Sequence, residues 1–184
     1  GEIWRASNKK NNEFECVHMF DKNSVAGSSS NSNIGLWYSL DNGRHWTQSN
    51  IIENSFNSVF ITNVNVIAAS NSDTGLLYSL NSGMTWQQSN ITNGSFNSVF
   101  MMGHNAIASS DSGTGLFYSS NNGITWTQSN ITENGGGVLF MVGKNAIVGT
   151  GQGLLYSSDR GVTWLQSNID GNYVFNSIYM VGTN

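Results

Sequence analysis

Ser119-Ser-Asn121-Asn-Gly123-Ile-Thr125-Trp126-Thr-Gln-Ser-Asn130 decides the fold, because the chain writes it again and again. Outward from it lie Ser39-Leu-Asp41-Asn-Gly43-Arg-His45-Trp46-Thr-Gln-Ser-Asn50 and Ser79-Leu-Asn81-Ser-Gly83-Met-Thr85-Trp86-Gln-Gln-Ser-Asn90 on one side. Ser157-Ser-Asp159-Arg-Gly161-Val-Thr163-Trp164-Leu-Gln-Ser-Asn168 lies on the other, and Trp4-Arg-Ala-Ser-Asn8 is a diverged fifth tail. The tryptophans at 4, 46, 86, 126 and 164 set a period of about 40 residues, within the range that marks repeat architectures.

Each unit divides into four short runs of β-forming residues. In the third unit these are Phe96 to Met102, Asn105 to Ser109, Gly115 to Ser119 and Ile124 to Ser129, separated by Gly, Asn, Asp and Ser. The lengths suit strands and the breaks suit turns. No run holds a 3.6-residue apolar period, so the chain should be all-β and almost free of helix. Four strands per repeat predict a β-propeller of about five four-stranded blades. A parallel β-helix competes for repeated strands, but a tight turn between the third and fourth runs implies antiparallel neighbours.

That turn resembles the Asp-box, or bacterial neuraminidase repeat, of the form Ser-x-Asp-x-Gly-x-Thr-Trp. The residues that match are Ser39, Asp41, Gly43 and Trp46; Ser79, Asn81, Gly83 and Trp86; Ser119, Asn121, Gly123 and Trp126; and Ser157, Asp159, Gly161 and Trp164. Their chemistry is structural. An Asp or Asn side chain bonds backbone N–H groups inside the turn, Gly takes a positive φ, Ser closes the hairpin base, and Trp packs between sheets. Asn81 and Asn121 keep the turn chemistry without the charge, which argues against a repeated calcium or catalytic role.

A chain of 184 residues fits one domain. Four complete blades are expected at roughly 14–49, 56–89, 96–129 and 137–167. The two ends, 1–8 as an outermost strand and 174–182 as an innermost strand, would share a partial fifth blade whose middle strands are missing. Unpaired edges invite partners, so the expectation is an oligomer, a fragment of a longer protein, or completion of the blade by another chain. Gly1 opens inside a motif, which predicts a processed or trimmed chain.

Charged residues are 10% of the sequence against a usual quarter, and the net charge of −4 is thinly spread. Without a basic stripe, nucleic acid is not an expected partner. No apolar run approaches the roughly 20 residues of a membrane-spanning helix. The single cysteine, Cys16, precludes an intrachain disulfide and reads as a core residue.

The resemblance brings sialidase activity to mind, and the residues argue against it. The family's site needs three arginines converging on a carboxylate, and this chain has only Arg5, Arg44 and Arg160, placed by the motif on outer strands and peripheral turns. His18, His45 and His104 fall at unrelated repeat positions. Glu53 and Glu133 sit on separate blades with Asn93 at the third equivalent, and Gly135-Gly-Gly137 has no phosphate-binding Lys. No catalytic residue, metal site or cofactor is therefore predicted.

Binding remains. The loops 50–56, 90–96 and 130–136 share a propeller face with 71–74 and 111–114, and are dense in amides and hydroxyls. Asn54, Asn57, Asp73, Asn93, Asn97, Asp111 and Asn134 are the candidate ligand residues, suited to neutral glycans in a lectin-like manner with several equivalent sites. The alternative is an assembly module that docks a protein partner on a face or an open blade edge. Asn90-Ile-Thr92, Asn93-Gly-Ser95 and Asn130-Ile-Thr132 are glycosylation sequons. Asp-box proteins are often extracellular, and an extracellular or surface setting is expected here.

Overall fold

Alternation of apolar and small residues along short runs leaves the backbone no favourable choice but paired strands, and the computed structural model shows sixteen of them. It describes residues 13–111, 113–133 and 136–182. The strands group into four antiparallel sheets of four, each in sequential order. Blade 1 holds β1 (Phe14–Phe20), β2 (Asn23–Ser28), β3 (Leu36–Ser39) and β4 (Thr47–Gln48). Blade 2 holds β5 (Phe56–Thr62), β6 (Asn65–Ser70), β7 (Leu76–Ser79) and β8 (Gln87–Gln88). Blade 3 holds β9 (Phe96–Met102), β10 (Asn105–Ser110), β11 (Leu116–Ser119) and β12 (Thr127–Gln128). Blade 4 holds β13 (Gly137–Val142), β14 (Asn145–Thr150), β15 (Gly153–Ser157) and β16 (Leu165–Asp170). The chain is a β-propeller, with no helix among the described residues.

The core lies between blades. Val25 and Leu36 of blade 1 meet Phe56, Val59, Ile61, Val66, Ala68, Leu77 and Trp86 of blade 2 in one cluster. Equivalent clusters join blade 2 to blade 3 and blade 3 to blade 4. The second and third strands send alternate side chains to the preceding and the following blade, which is why most of their positions carry apolar or small residues.

The Asp-box corners form as their residue types require. Asp41 Oδ1 accepts from the Ser39 hydroxyl at 2.9 Å and from the His45 N–H at 2.9 Å, while Ser39 Oγ accepts from the Gly43 N–H at 3.0 Å. Asn81, Asn121 and Asp159 repeat the geometry. The neutral copies invert one bond. Thr163 donates its hydroxyl to Asp159 Oδ2 at 2.6 Å, whereas Asn81 and Asn121 donate their amides to Thr85 and Thr125 at 2.8 Å.

The corner glycines carry a second constraint beyond their positive φ. A Cβ on Gly83, Gly123 or Gly161 would collide with Val25, Ile67 or Ile107, each on the preceding blade. The residue before each glycine is also left-handed: Asn42, Ser82, Asn122 and Arg160 have φ between 60° and 64°. This doubling was not read from the motif. The fourth strand is also shorter than the predicted Ile124 to Ser129, at Thr127–Gln128, because Trp126 bonds to another blade.

The ends depart from the regular blade. Residues 1–8 lie outside the described residues. The 174–182 stretch takes the place of an inner strand beside blade 4 but has no strand pairing among the described residues. Phe175 covers Gly149 as Phe56 covers Gly27.

Trp86 is 3% exposed, and its indole N–H lacks the glycine carbonyl partner that Trp126 and Trp164 have at 2.9 Å. Trp86→Ala should cost roughly 3 to 5 kcal/mol through loss of the interblade ring. Chemical denaturation would show it as a lower midpoint with an unchanged slope.

Candidate functional site

The outer-to-inner loops and the loops between second and third strands share one face, and backbone bonds tie them together. Asn54 O accepts from Gly35 N at 3.1 Å and Ser28 Oγ at 2.9 Å, and Gly94 O accepts from Gly75 N at 3.1 Å. Asn54 and Asp73 are left-handed, with φ of 74° and 60°, as turn-forming Asx residues can be. Asp73 Oδ1 accepts from the Gly94 N–H at 2.5 Å, and Asn57 Nδ2 donates to Phe96 O of the next blade at 3.1 Å.

The seven candidate ligand residues therefore divide. The side chains of Asn57 and Asp73 serve the fold. Those of Asn54, Asn93, Asn97 and Asp111 make no hydrogen bond among the described residues; Asn93 and Asp111 are exposed, and Asn54 and Asn97 are half-buried. Asn134 lies outside the described residues. The free groups sit on loops of different blades and form a repeated array.

A more regular polar device was not recognised in the repeat. Asn50 Oδ1 accepts from Trp86 N at 2.7 Å while its Nδ2 donates to Trp86 O at 3.0 Å. Asn90 holds Trp126 with 2.7 and 2.9 Å bonds, and Asn130 holds Trp164 with 2.8 and 2.9 Å bonds. One primary amide thus imitates a β-pair and clamps the outer strands of blades 2, 3 and 4 to the blade before. The signal was present in the repeated Gln-Ser-Asn that closes each motif. Asn168, the fourth copy, is exposed and has no partner among the described residues.

A second missed feature runs along the inner strands. His18, Phe60, Phe100, Phe140 and Tyr179 occupy one repeat position and form a continuous ladder, with successive ring centroids 4.0, 4.4, 4.7 and 4.8 Å apart. His18 Nδ1 accepts from the Ile61 N–H at 3.2 Å. Burial lowers the His18 pKa from 6.5, and the donated N–H occupies the lone pair a proton would need.

Electrostatics elsewhere belong to the corners. Asp41 is held far below the usual carboxylate range by the backbone N–H of His45 and then by its ring, with Nδ1 at 2.6 Å. Burial pushes Asp159 up, but hydrogen bonds from the Thr163 hydroxyl and N–H and from Ser157 win, and its pKa is lowered. Arg44 and Arg160 are exposed on these peripheral turns, and Arg5 lies outside the described residues. Among the described residues no three His, Cys, Asp or Glu side chains gather as metal ligands. Among the described residues no helix is long and apolar enough to cross a membrane.

Asn90→Ala should destabilise by about 2 kcal/mol, the worth of two interblade hydrogen bonds, whereas Asn168→Ala should leave the melting temperature of the dilute chain unchanged. Calorimetry on the pair checks both halves. The depressed His18 pKa stabilises the fold fully above pH 6.5 and progressively less as pH falls through the lower folded value. Urea midpoints at pH 8 and pH 5 should therefore differ less in His18→Phe than in the wild type, and an identical difference in both would contradict the placement.

The BNR/Asp-box repeat family matches residues 117–128, one corner of blade 3. No curated protein matches the chain. Among solved structures, an ancestral GH74 enzyme superposes with a TM-score of 0.68 at 17% identity, over 85% of this chain and 24% of its own. The computationally designed Ika8 protein gives 0.72 at 7% identity, over 91% of this chain and 53% of its own. YCF48 bound to D1 peptide gives 0.60 at 15% identity, over 84% and 54%. The chain thus spans about a quarter of the GH74 enzyme and about half of the other two.

Proposed function

We propose that this Asp-box propeller is a non-catalytic binding module that works by assembly with a protein partner at an open blade edge. The observation behind this reading is the 174–182 stretch, which takes an inner-strand place beside blade 4 with no strand pairing among the described residues and with Val174, Tyr179 and Val181 exposed. A segment without strand pairing next to exposed apolar surface is the combination that strand addition uses. The peptide seen with YCF48 lends general support to protein recognition by a propeller, at the level of fold.

A second reading keeps the lectin-like function on the loop face. Asn54, Asn93, Asn97 and Asp111 have side-chain groups free to meet a neutral sugar, although Asn57 and Asp73 are engaged within the fold. A glycan array separates the two. The assembly reading expects no sugar to bind, and expects amides 171–182 to exchange rapidly with solvent in the dilute chain. A glycan whose binding is lost in the Asn54→Ala/Asn93→Ala/Asp111→Ala variant would instead establish the loop face as the working surface.

A further inference from the structure

We propose that Asn93 is a site of self-modification, where the loop converts its own side-chain amide to a carboxyl with Asp73 as general base and water as the only co-reactant. The site stands apart from both binding readings, and its chemistry needs neither ligand.

The loop that leads from blade 2 into blade 3 brings the reactants together. Asn93 is exposed and its side chain makes no hydrogen bond among the described residues, so its amide carbon is open to attack. Gly94 follows it, and a residue without a Cβ leaves the path from its own nitrogen to that carbon unhindered. Asp73, on the loop between β6 and β7, accepts the Gly94 N–H through Oδ1 at 2.5 Å. This bond draws the proton off in the plane of the peptide, while the nitrogen's electron pair stands perpendicular to that plane. Proton removal and attack use different directions and can proceed together.

The step balances without an oxidant or a cofactor. The Gly94 nitrogen bonds to Cγ of Asn93 as its proton passes to Asp73, the Cγ–Nδ2 bond breaks, and Asp73 returns the proton to the departing ammonia. Water then opens the cyclic imide at either carbonyl, leaving an aspartyl or an isoaspartyl residue at position 93. A neutral amide becomes a negative charge close to Asp73, and the isoaspartyl product also carries an extra methylene in the main chain. That insertion falls among the bonds that seat this loop, Gly75 N–H to Gly94 O at 3.1 Å and Asp111 N–H to Ser95 O at 2.9 Å.

The remaining Asn-Gly pairs among the described residues lack the base. At the corners Asn42-Gly43 and Asn122-Gly123, the glycine N–H is bonded to the hydroxyl of Ser39 or Ser119, at 3.0 and 3.1 Å, and a hydroxyl is a far weaker base than a carboxylate. Asn122 Oδ1 is further tied to Asn65 Nδ2 at 3.1 Å. The matching loop into blade 2 carries Glu53-Asn54 in place of Asn93-Gly94, and Asn33 in place of Asp73. Asn33 and Asp73 share a left-handed backbone, with φ of 47° and 60°. The scaffold thus repeats, while the reactive combination of Asn, Gly and carboxylate belongs to the junction of blades 2 and 3.

The test incubates the full chain at neutral pH, folded and in guanidinium chloride, and follows conversion at each Asn-Gly by peptide mass mapping, with enzymatic methylation of isoaspartate as a second readout. The folded chain should convert Asn93 ahead of Asn42 and Asn122, and faster than the unfolded chain does. Asp73→Asn should slow the folded reaction about a hundredfold, a typical contribution of one general base. Equal or faster conversion in Asp73→Asn would overturn the proposal, because the contact would then only restrain the loop. So would conversion at Asn93 no faster in the folded chain than in denaturant, a comparison that needs no variant to fold.

Discussion

A glycine set against an aliphatic side chain of the neighbouring blade is the contact on which this architecture depends. Gly123 must turn left-handed to make the corner, and must also lack a Cβ so that Ile67 can lie against it. The first condition shapes one blade; the second fixes the distance to the blade before it. Because both fall on one atom position, local hairpin geometry and blade-to-blade packing cannot vary independently. Trp126 then fills the space beside the glycine, and Asn90 ties the strand that begins there to the preceding sheet. Corner, ring and clamp act as one unit, repeated with little change, and a near-identical sequence repeat therefore builds a near-identical geometric step.

Much of this was readable from residues alone. Ser, Asp or Asn, Gly and Trp at fixed spacing identified the corners, and the four-run division placed β9 at its observed limits and β10 within one residue. What escaped was what passes between repeats. The Asn closing each Gln-Ser-Asn looks like an ordinary turn residue, and only the structure shows its amide spent on a tryptophan 36 or 34 residues further on. In sequence the recurring Phe60, Phe100 and Phe140 are simply apolar strand residues, whereas in the structure stacking gives them a common direction. The candidate ligand residues fared unevenly for the same reason: Asn57 and Asn97 look alike in sequence, yet Asn57 donates to the next blade and Asn97 makes no hydrogen bond among the described residues.

The resulting view of function follows from where satisfaction stops. Within the arc, polar and apolar groups find partners in the adjoining blade. Asn54, Asn93, Asn97 and Asp111 on the loop face, and the exposed Val174, Tyr179 and Val181, are where that pairing stops among the described residues.

The alternation of Asp and Asn at the corners has one more consequence. Blades 1 and 4 are pinned by carboxylates whose pKa values are lowered by the bonds they accept, while blades 2 and 3 are pinned by amides that do not titrate. Acid strong enough to neutralise Asp41 and Asp159 would loosen the two outer corners and leave the middle pair untouched. Strong acid would thus act on this molecule unevenly, through two of its four corners.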